Sequence, residues 1–386
     1  MHTNSLESRR NFIRNLAIGT SLAFLPASSI MASSSLIAPF NFRKGAALLP
    51  LHYNENSLGM SNNALSAAKE AITLYGNRYA DGAVDELKQL IASYNQIPPE
   101  QLILGNGSTE VLGAVVTYAA SMNATLLEPS PTFGDVRSRA KARNMKVVQV
   151  ELGDNFETNI EQLKQRADKL KGPILVNLCN PNNPTGTIVD KKLLSNWITN
   201  APSNHIFLVD EAYHEYATSN PNYSSALPLI KNGKENLIVT RTFSKIFGMA
   251  GMRVGYGIAA PKTAKKLDSL SASFNLSAAG IAAAKASLLD KEFFNKSLNA
   301  NERAKALLTN TLDELSLRYI PSNTNFVLHR INSDLNSYTQ RMLANNIKVG
   351  RRMTKDDGWN RISIGTPSQM EAFTKTLKSF REKGWV

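Results

Sequence analysis

Seven apolar runs rich in branched residues recur along the middle of the chain and alternate with stretches of helical spacing. The apolar runs lie at residues 101–105, 124–129, 146–152, 173–179, 205–213, 236–244 and 253–260. Helical spacing fills residues 108–122, 133–143, 159–170 and 190–200. Continuous apolar strands separated by crossover helices are typical of a mostly parallel sheet that is buried on both faces. We therefore predict a large α/β domain whose sheet is covered by helices on both faces.

The pattern changes after about residue 262, where long helices precede the strand-like stretches TNFVLHRI and NRISIG. This change predicts a smaller α+β domain at the C-terminus. We place the large domain at 76–265 and the small domain at 266–386, and we expect 36–75 to pack with the small domain. A chain of 386 residues is long enough for two such domains.

Residues 1–35 have the pattern of an export signal. Arg9 and Arg10 precede Phe12 and Ile13, and a short apolar run then leads into small residues. The run is too short to span a membrane, so we expect no stable membrane association. The Ser-Arg-Arg-x-Phe-Ile core resembles a twin-arginine signal, which exports proteins already folded around a cofactor. We predict a periplasmic protein that engages the twin-arginine export machinery, or a cytoplasmic one if the segment is only a basic tail.

The charge balance bears on the partners of the protein. Lys and Arg number 44 and Asp and Glu number 31, which gives a net charge of +13. The basic residues are scattered and do not alternate with aromatic residues, so we predict anionic small molecules and no nucleic acid as partners. Cys179 is the only cysteine, which excludes an intrachain disulfide and a multi-cysteine metal site. We predict no metal.

Polar residues that follow the apolar runs are candidates for ligand binding, because open α/β sheets bind ligands beyond the carboxyl ends of their strands. The stretch GNGSTE contains Gly107, Ser108 and Thr109 where a strand gives way to a helix. Free backbone N–H groups and the helix dipole make such a terminus an anion cradle. The stretch lacks the Gly-Lys-Ser/Thr of a nucleotide loop, which favours a single phosphate. A simple capped helix start is the alternative.

Two further strand ends carry unusual polar residues. In NPNNPTGT, two prolines and a glycine make a rigid turn that can aim Asn183, unless the turn is purely structural. In DEAYHEY, Asp210 follows an apolar run and needs a cationic partner, with Tyr213 three residues on. The alternative is a helix N-cap at Asp210 and a core aromatic at Tyr213.

The stretch RTFSKIFGMAGMRVGY places Lys245 among small and apolar residues. Burial lowers the pKa of a lysine and makes its amine nucleophilic, although a surface lysine is the alternative. Thr242 and Ser244 add hydroxyl groups, and Arg253 can bind a phosphate in bidentate fashion.

Together these side chains predict one ligand. It has a phosphate for the cradle and Arg253, a carbonyl for Lys245 and a basic ring nitrogen for Asp210. It also has a phenolic oxygen for Asn183 and Tyr213, and a flat face for Phe133 of PSPTFGD. Pyridoxal 5′-phosphate has all five features.

From about His52 onward the chain resembles a fold-type I pyridoxal-phosphate enzyme of the class I/II aminotransferases, nearest to the histidinol-phosphate aminotransferases. The resemblance rests on these motifs, in the family's order: LHYNENSLG, NRYADG, GNGSTE, PSPTF, NPNNPTGT, DEAYHEY, RTFSKIFGMAGMRVGY, TNFVL and RISIGT. It implies the aspartate-aminotransferase-like fold and an amino donor and a 2-oxo acid, such as 2-oxoglutarate, as substrates.

The resemblance also implies roles for residues. Lys245 would hold the cofactor covalently, Asp210 would keep its ring nitrogen protonated and Phe133 would stack on its ring. Tyr79 of NRYADG would reach the cofactor phosphate of a neighbouring subunit, which implies a homodimer. Arg361 of NRISIG would receive a carboxylate or distal anion of the substrate, unless it is an exposed strand arginine. The remaining substrate-binding predictions are Asn56, Tyr79 and Arg351.

Two departures leave the substrate open. Histidinol-phosphate enzymes of this family commonly have an arginine where the stretch IKVGRRM has Gly350, and YAD replaces the usual YPD. Arg351 or Arg352 is a candidate substitute. The alternatives are an aromatic amino acid transaminase, a threonine-phosphate decarboxylase-like enzyme, and a non-catalytic protein that binds the cofactor or an amino acid.

Overall fold

A computed structural model describes residues 48–354 and 358–386 of the chain. The predicted export signal, residues 1–35, and the residues that follow it to 47 lie outside the described residues. The described residues from Leu48 to Val386 form one compact unit.

The described strands and helices alternate through most of the chain. The strands are β1 (Leu49–Leu51), β2 (Leu102–Asn106), β3 (Thr125–Ser130), β4 (Val147–Glu151), β5 (Ile174–Cys179), β6 (His205–Asp210), β7 (Leu237–Thr242), β8 (Val254–Ile258), β9 (Tyr319–Ile320), β10 (Phe326–Arg330), β11 (Ile347–Val349) and β12 (Trp359–Ser363). The helices are α1 (Asn62–Tyr75), α2 (Ala83–Asn95), α3 (Ser108–Ser121), α4 (Asp135–Ala142), α5 (Ile160–Asp168), α6 (Lys191–Asn200), α7 (His214–Ala217), α8 (Leu227–Lys231), α9 (Pro261–Asp268), α10 (Ala278–Leu289), α11 (Lys291–Glu314), α12 (Leu335–Ala344) and α13 (Pro367–Glu382).

The large sheet has seven strands in the order β2-β8-β7-β6-β5-β3-β4. Strand β8 runs antiparallel to both of its neighbours, and the other adjacent pairs are parallel. Alternate side chains enter two hydrophobic clusters: on β6, Phe207 and Val209 belong to one cluster, and Ile206 and Leu208 belong to the other. Alternation across a strand places these clusters on opposite faces of the sheet. The predicted mostly parallel sheet with helices on both faces is confirmed.

Helix α6 shows why these segments become helices that cover the sheet. Asp190 caps its start, because its Oδ1 accepts hydrogen bonds from the backbone N–H groups of Lys192 and Leu193. Leu194, Trp197 and Ile198 are the buried residues of the helix. Their spacing of three and four residues forms one apolar stripe, which packs against the sheet.

A third hydrophobic cluster lies in the C-terminal part of the chain. It contains Leu51 of β1, Leu308 of α11, Tyr338 of α12 and Phe373 of α13. Strands β9, β10 and β12 form an antiparallel sheet, and β1 pairs with β11 in parallel. This is the smaller α+β domain that the sequence predicts.

The clusters of the large sheet and the cluster of the C-terminal part divide the chain differently from the predicted domain boundaries in two places. Helix α1 lies within the segment predicted to pack with the small domain, but its Ala64 and Ala68 belong to the cluster of the large sheet. Helix α10 lies beyond residue 265, yet Ile281 and Ala284 belong to that same cluster. The alanines of α10 allow close packing against α1 and α2, and the change of cluster comes only at α11.

Candidate active site

The carboxyl ends of the parallel strands β5, β6 and β7 meet at one edge of the large sheet. They deliver three segments to a cavity of about 1740 Å³. Its lining includes the last residues of the three strands, Cys179, Asp210 and Thr242, and also Asn183, Tyr213 and Lys245, which follow those strands. Parallel strands place their carboxyl ends side by side, which explains why motifs far apart in sequence meet here.

Lys245 presents its amine inside this cavity. Its Nζ donates hydrogen bonds to the carbonyl oxygens of Tyr53 over 3.3 Å and Asn54 over 3.1 Å, and it lies 5.5 Å from the centre of the Tyr213 ring. Burial and the positive charge of Arg361 lower the pKa of Lys245 to about 8. A larger fraction of this amine is therefore neutral and nucleophilic near neutral pH than for an ordinary lysine.

Asp210 ends β6 and is only 5% exposed. Thr240 on the adjacent strand donates a hydrogen bond to its Oδ1 over 2.9 Å. Burial raises the pKa of Asp210 to about 6, which is opposed by the hydrogen bond from Thr240. A carboxylate in such a place is stabilised by a cationic partner in the cavity.

The start of α3 and the turn before β8 form an anion cradle. Ser108 is the first residue of α3. The first turn of a helix presents backbone N–H groups that have no partner within the helix. Arg253 lies opposite, with its Nη1 3.3 Å from Ser244 Oγ and its Nη2 3.5 Å from Thr109 Oγ1. Thr242 donates to Ser244 Oγ over 2.9 Å. Three hydroxyl groups and one guanidinium thus converge at a helix N-terminus.

Gly107 makes this convergence possible. Its φ is +70°, and a Cβ at this position would overlap the Nη2 of Arg253. Only glycine combines that backbone conformation with so close an approach.

Asn183 connects Tyr213 to Arg361. Its Oδ1 accepts a hydrogen bond from Arg361 Nη1 over 2.6 Å, and its Nδ2 lies 3.5 Å from the Tyr213 hydroxyl. Arg361 on β12 also donates from Nη2 to the carbonyl oxygen of His52 over 2.8 Å. Burial lowers the pKa of Arg361, with the neighbouring Arg351 contributing. Arg361 is buried, so it is not the exposed strand arginine that the sequence left open.

The other predicted residues lie in three kinds of place. Phe133 and Arg351 line the cavity. Tyr79 lies outside the cavity lining of its own chain, is 74% exposed and stacks on Phe274 with ring centres 4.5 Å apart. Asn56 also lies outside that lining, and its Nδ2 donates to the carbonyl oxygen of Ile246 over 2.7 Å and to Ser297 Oγ over 3.0 Å. The structure therefore gives Asn56 contacts within the fold and brings Asn54 to the site in its place.

Sequence reasoning did not single out Asn54, nor several basic residues that line the cavity. Asn54 donates from Nδ2 to the Tyr213 hydroxyl over 3.0 Å. Arg318 and Arg330 line the cavity with their guanidinium groups 5.6 Å from the centre of the Trp359 ring, and Lys348 also belongs to the lining. The motif LHYNENSLG was the available signal for Asn54, but it offers several asparagines without ranking them.

Within residues 48–354 and 358–386, no cluster of His, Cys, Asp or Glu side chains could hold a metal ion. None of the helices in that part of the chain is long and apolar enough to cross a membrane.

Comparison with known proteins identifies the family. The sequence model for aminotransferase class I and II matches residues 46–377. The chain belongs to this family. The prediction of a pyridoxal-phosphate-dependent aminotransferase with the aspartate-aminotransferase-like fold is confirmed.

Several relatives of this aminotransferase are named histidinol-phosphate aminotransferase. The histidinol-phosphate aminotransferase of Moorella thermoacetica is 33% identical over 338 residues, which cover 86% of this chain and 85% of the relative. Histidinol-phosphate aminotransferase 2 of Hydrogenovibrio crunogenus is 35% identical over 331 residues, which cover 84% of this chain and 86% of the relative.

Solved structures agree with this placement. The histidinol-phosphate aminotransferase of Sinorhizobium meliloti, solved with pyridoxal-5′-phosphate, matches with a TM-score of 0.78 at 25% identity and covers 94% of this chain and 96% of its own. The L-threonine-O-3-phosphate decarboxylase of Porphyromonas gingivalis, at 21% identity and a TM-score of 0.74, shares the fold.

The site of this aminotransferase fits pyridoxal phosphate by the chemistry of its donor set. The cradle at the start of α3 and Arg253 suit a phosphate, and the amine of Lys245 suits an aldehyde. The buried carboxyl of Asp210 suits a protonated ring nitrogen, and the amide and hydroxyl of Asn183 and Tyr213 suit a phenolic oxygen. Each polar feature of the cofactor therefore has a matching side chain in the cavity.

Proposed function

We propose that this aminotransferase moves an amino group from a histidinol-phosphate-like donor or an amino acid to a 2-oxo acid such as 2-oxoglutarate. One observation carries the proposal: the amine of Lys245 and the guanidinium of Arg361 face the same cavity, and Asn183 joins Arg361 to Tyr213. This arrangement places an anion-binding group next to a nucleophilic amine. The relatives named above support a donor of the histidinol-phosphate kind.

The reaction divides its tasks among few side chains. Bound pyridoxal phosphate supplies an electron sink for a bond broken at the α-carbon of the donor. Lys245 Nζ, with its lowered pKa, holds and moves the proton that leaves this carbon. The Asp210 carboxylate would keep a proton on the ring nitrogen of the bound cofactor, and the Tyr213 hydroxyl and Asn183 amide would hold its phenolic oxygen.

Arg361 binds the carboxylate or distal anion of the substrate. Its partners among the described side chains and backbone are the neutral Asn183 and the carbonyl oxygen of His52. A substrate carboxylate would therefore supply the negative charge that this buried guanidinium lacks, in bidentate geometry.

Basic residues that line the cavity could bind a distal phosphate of the substrate in place of an arginine at position 350. Gly350 is buried against β12, and a Cβ there would overlap the carbonyl oxygen of Arg361. Any side chain at position 350 would therefore displace Arg361. Arg318, Arg330, Lys348 and Arg351 line the cavity instead.

A panel of amino donors tests the function. Loaded protein is mixed in the absence of oxo acid with histidinol phosphate, phosphothreonine, aromatic amino acids and glutamate. We expect loss of the visible band of the lysine-bound cofactor and release of one oxo product per site with histidinol phosphate. Release of carbon dioxide from phosphothreonine would establish the decarboxylase instead, and no spectral change with any donor would leave only a binding protein.

We propose further that two chains associate into a homodimer. Exposed apolar side chains support this, since Tyr79 stacks on Phe274, itself 65% exposed, while Ile72, Leu74 and Tyr75 are more than half exposed. Apolar patches of this kind mark interaction sites on soluble proteins. Sedimentation should give twice the mass of one chain, and a monomer at micromolar concentration would contradict the proposal.

Export through the twin-arginine pathway is also a proposal, supported by the Arg9 and Arg10 pair and by the use of a cofactor, since this pathway exports proteins already folded around one. Replacing both arginines by lysine should keep the protein in the cytoplasm. Unchanged recovery from the periplasm would contradict the proposal.

A further inference from the structure

Asn54 lies between the strand that carries Arg361 and the side of the cavity that carries Lys245. It is 1% exposed and has a φ of +55°, a left-handed conformation that asparagine adopts more readily than most residues. Its side chain reaches Ser363 on one side and Tyr213 on the other. These two contacts determine which end of the Asn54 amide donates a hydrogen bond and which end accepts one.

The partners of Asn54 fix the orientation of its amide. The backbone N–H of Asn54 donates to Ser363 Oγ over 2.8 Å, which leaves the serine proton available for Asn54 Oδ1 at 3.1 Å. With Oδ1 turned toward Ser363, the Nδ2 group faces Tyr213 and donates to its hydroxyl oxygen over 3.0 Å.

The side-chain amide of Asn183 also turns its N–H group toward the Tyr213 hydroxyl. Arg361 can only donate, so the Oδ1 of Asn183 faces it and the Nδ2 of Asn183 faces Tyr213. The Tyr213 oxygen therefore faces two N–H groups: that of Asn54 donates to it over 3.0 Å, and that of Asn183 lies 3.5 Å away, at the outer limit of a hydrogen bond. Both of its hydrogen bonds to described residues are ones in which the oxygen accepts.

We propose that Asn54 is a positioning residue that directs the Tyr213 hydroxyl proton into the cavity, toward the anionic phenolic oxygen of the bound cofactor. The inference rests on the proposed function, because pyridoxal phosphate provides the acceptor. Asn54 acts through Tyr213 and through Ser363, which lies two residues beyond Arg361 on β12. It therefore connects the anion-binding strand to the ring-binding tyrosine.

Charges around Tyr213 leave its proton in place. The titratable groups that interact with it are Asp210, Cys179, Lys245, Arg361 and Tyr216. Burial raises the pKa of Tyr213 above its ordinary value, an effect opposed by Arg361 and by the hydrogen bond from Asn54. The hydroxyl is thus protonated near neutral pH, and its direction is the property that Asn54 controls.

A spectrophotometric pH titration of the loaded protein tests the proposal. A proton donated to the phenolic oxygen makes that oxygen a weaker partner for the proton of the lysine-bound nitrogen, so it lowers the pH at which the visible band titrates. Asn54→Asp keeps the shape and the oxygen near Ser363 but replaces the donor by an acceptor that takes the Tyr213 proton. Asn54→Gly removes the amide and tolerates the positive φ.

We expect Asn54→Asp and Tyr213→Phe each to raise the titration midpoint by about one pH unit, and Asn54→Gly to raise it by less. In a Tyr213→Phe background, Asn54→Asp should add little, because the proton that it diverts is already gone. An unchanged midpoint in Asn54→Asp would overturn the proposal. A shift of equal size in both backgrounds would also overturn it, since it would assign the effect to charge alone. Absence of a visible band from the wild-type protein would contradict the proposed function itself, and the inference with it.

Discussion

At the scale of single residues, burial sets the chemistry of the site. The pKa of Lys245 is lowered to about 8 and that of Asp210 is raised to about 6, both chiefly by burial. Between these values Asp210 is mostly ionised and a growing share of Lys245 is neutral. A carboxylate for the ring nitrogen and an amine for the carbonyl are thus available together near neutral pH.

The lowered pKa of Lys245 predicts the pH dependence of cofactor capture. Only the neutral amine attacks an aldehyde, so the rate at which cofactor-free protein binds pyridoxal phosphate should rise with pH and level off above about 8. Stopped-flow absorbance across pH 6 to 11, with the pH dependence of free pyridoxal phosphate subtracted, measures this rate. A midpoint near the ordinary lysine value of 10.5 would contradict the burial of the amine.

The sequence predicted which residues lie together at the cavity where a residue ends or follows a recognisable strand. Asp210 and Thr242 end strands and Lys245 follows one, and the structure brings all three to the cavity. It worked less well in NEN, where both asparagines flank one glutamate. Asn54 reaches the site because of a positive φ and a contact with Ser363, 309 residues away, and no local pattern encodes either.

At the scale of elements, the anion cradle depends on the start of α3. Gly107→Ala would place a Cβ against Arg253, so we expect pyridoxal phosphate to bind at least tenfold more weakly, a loss of about 1.4 kcal/mol. Titration of cofactor-free protein, followed by absorbance, measures the affinity. Gly172→Ala is the matched control, since Gly172 also has a positive φ but a Cβ there meets nothing within 4 Å. Equal affinities in both variants would exclude this role for Gly107.

A buried ion pair links Arg241 of β7 to Glu211, the residue that follows β6, and a hydrogen bond links Arg241 to α2. Arg241 Nη2 lies 2.9 Å from Glu211 Oε2, and Arg241 Nη1 donates to Asn95 Oδ1 over 2.8 Å. Arg241→Met would leave the Glu211 carboxylate buried without its partner, so we expect the free energy of unfolding to fall by about 3–5 kcal/mol. Urea denaturation measures it.

The matched control for this ion pair is Lys378→Met, which breaks the exposed pair between Lys378 and Glu314. It should cost less than about 1 kcal/mol. A similar fall in the free energy of unfolding in both variants would show that the buried pair stabilises the fold no more than the exposed pair does.

Long elements were predictable and short ones were not. The seven strands of the large sheet and the four helices between them lie within a few residues of their predicted positions, because each has an apolar pattern of its own. Strands β1, β9 and β11 have three, two and three residues and show no such pattern. Strand β1 exists because Leu49 pairs with Ile347 far along the chain.

At the scale of the whole molecule, the residues that the structure describes form a large and a small domain, and residues of both line the cavity. Lys245 lies in the segment that follows β7 of the large sheet, and Arg361 lies on β12 of the small antiparallel sheet. The segment from His52 to Asn54 contacts both residues, through hydrogen bonds from Arg361 to His52 and from Lys245 to Asn54. The position of one domain therefore bears directly on the site in the other.

The division between the domains was the part of the architecture that the sequence predicted least well. Composition changes at about residue 262, but α10 still packs on the large sheet. A helix rich in alanine has little amphipathic pattern, so the sequence does not show which core it joins.

The central claim is that Lys245 holds pyridoxal phosphate in an aminotransferase site, and reductive trapping tests it most directly. The loaded protein is treated with borohydride, digested and analysed by mass spectrometry, with Lys245→Ala treated in parallel. We predict one phosphopyridoxyl group per chain, on the peptide that contains Lys245, and none at a corresponding level in the variant. A modification on another lysine, or equal modification of the Lys245→Ala protein, would contradict the assignment.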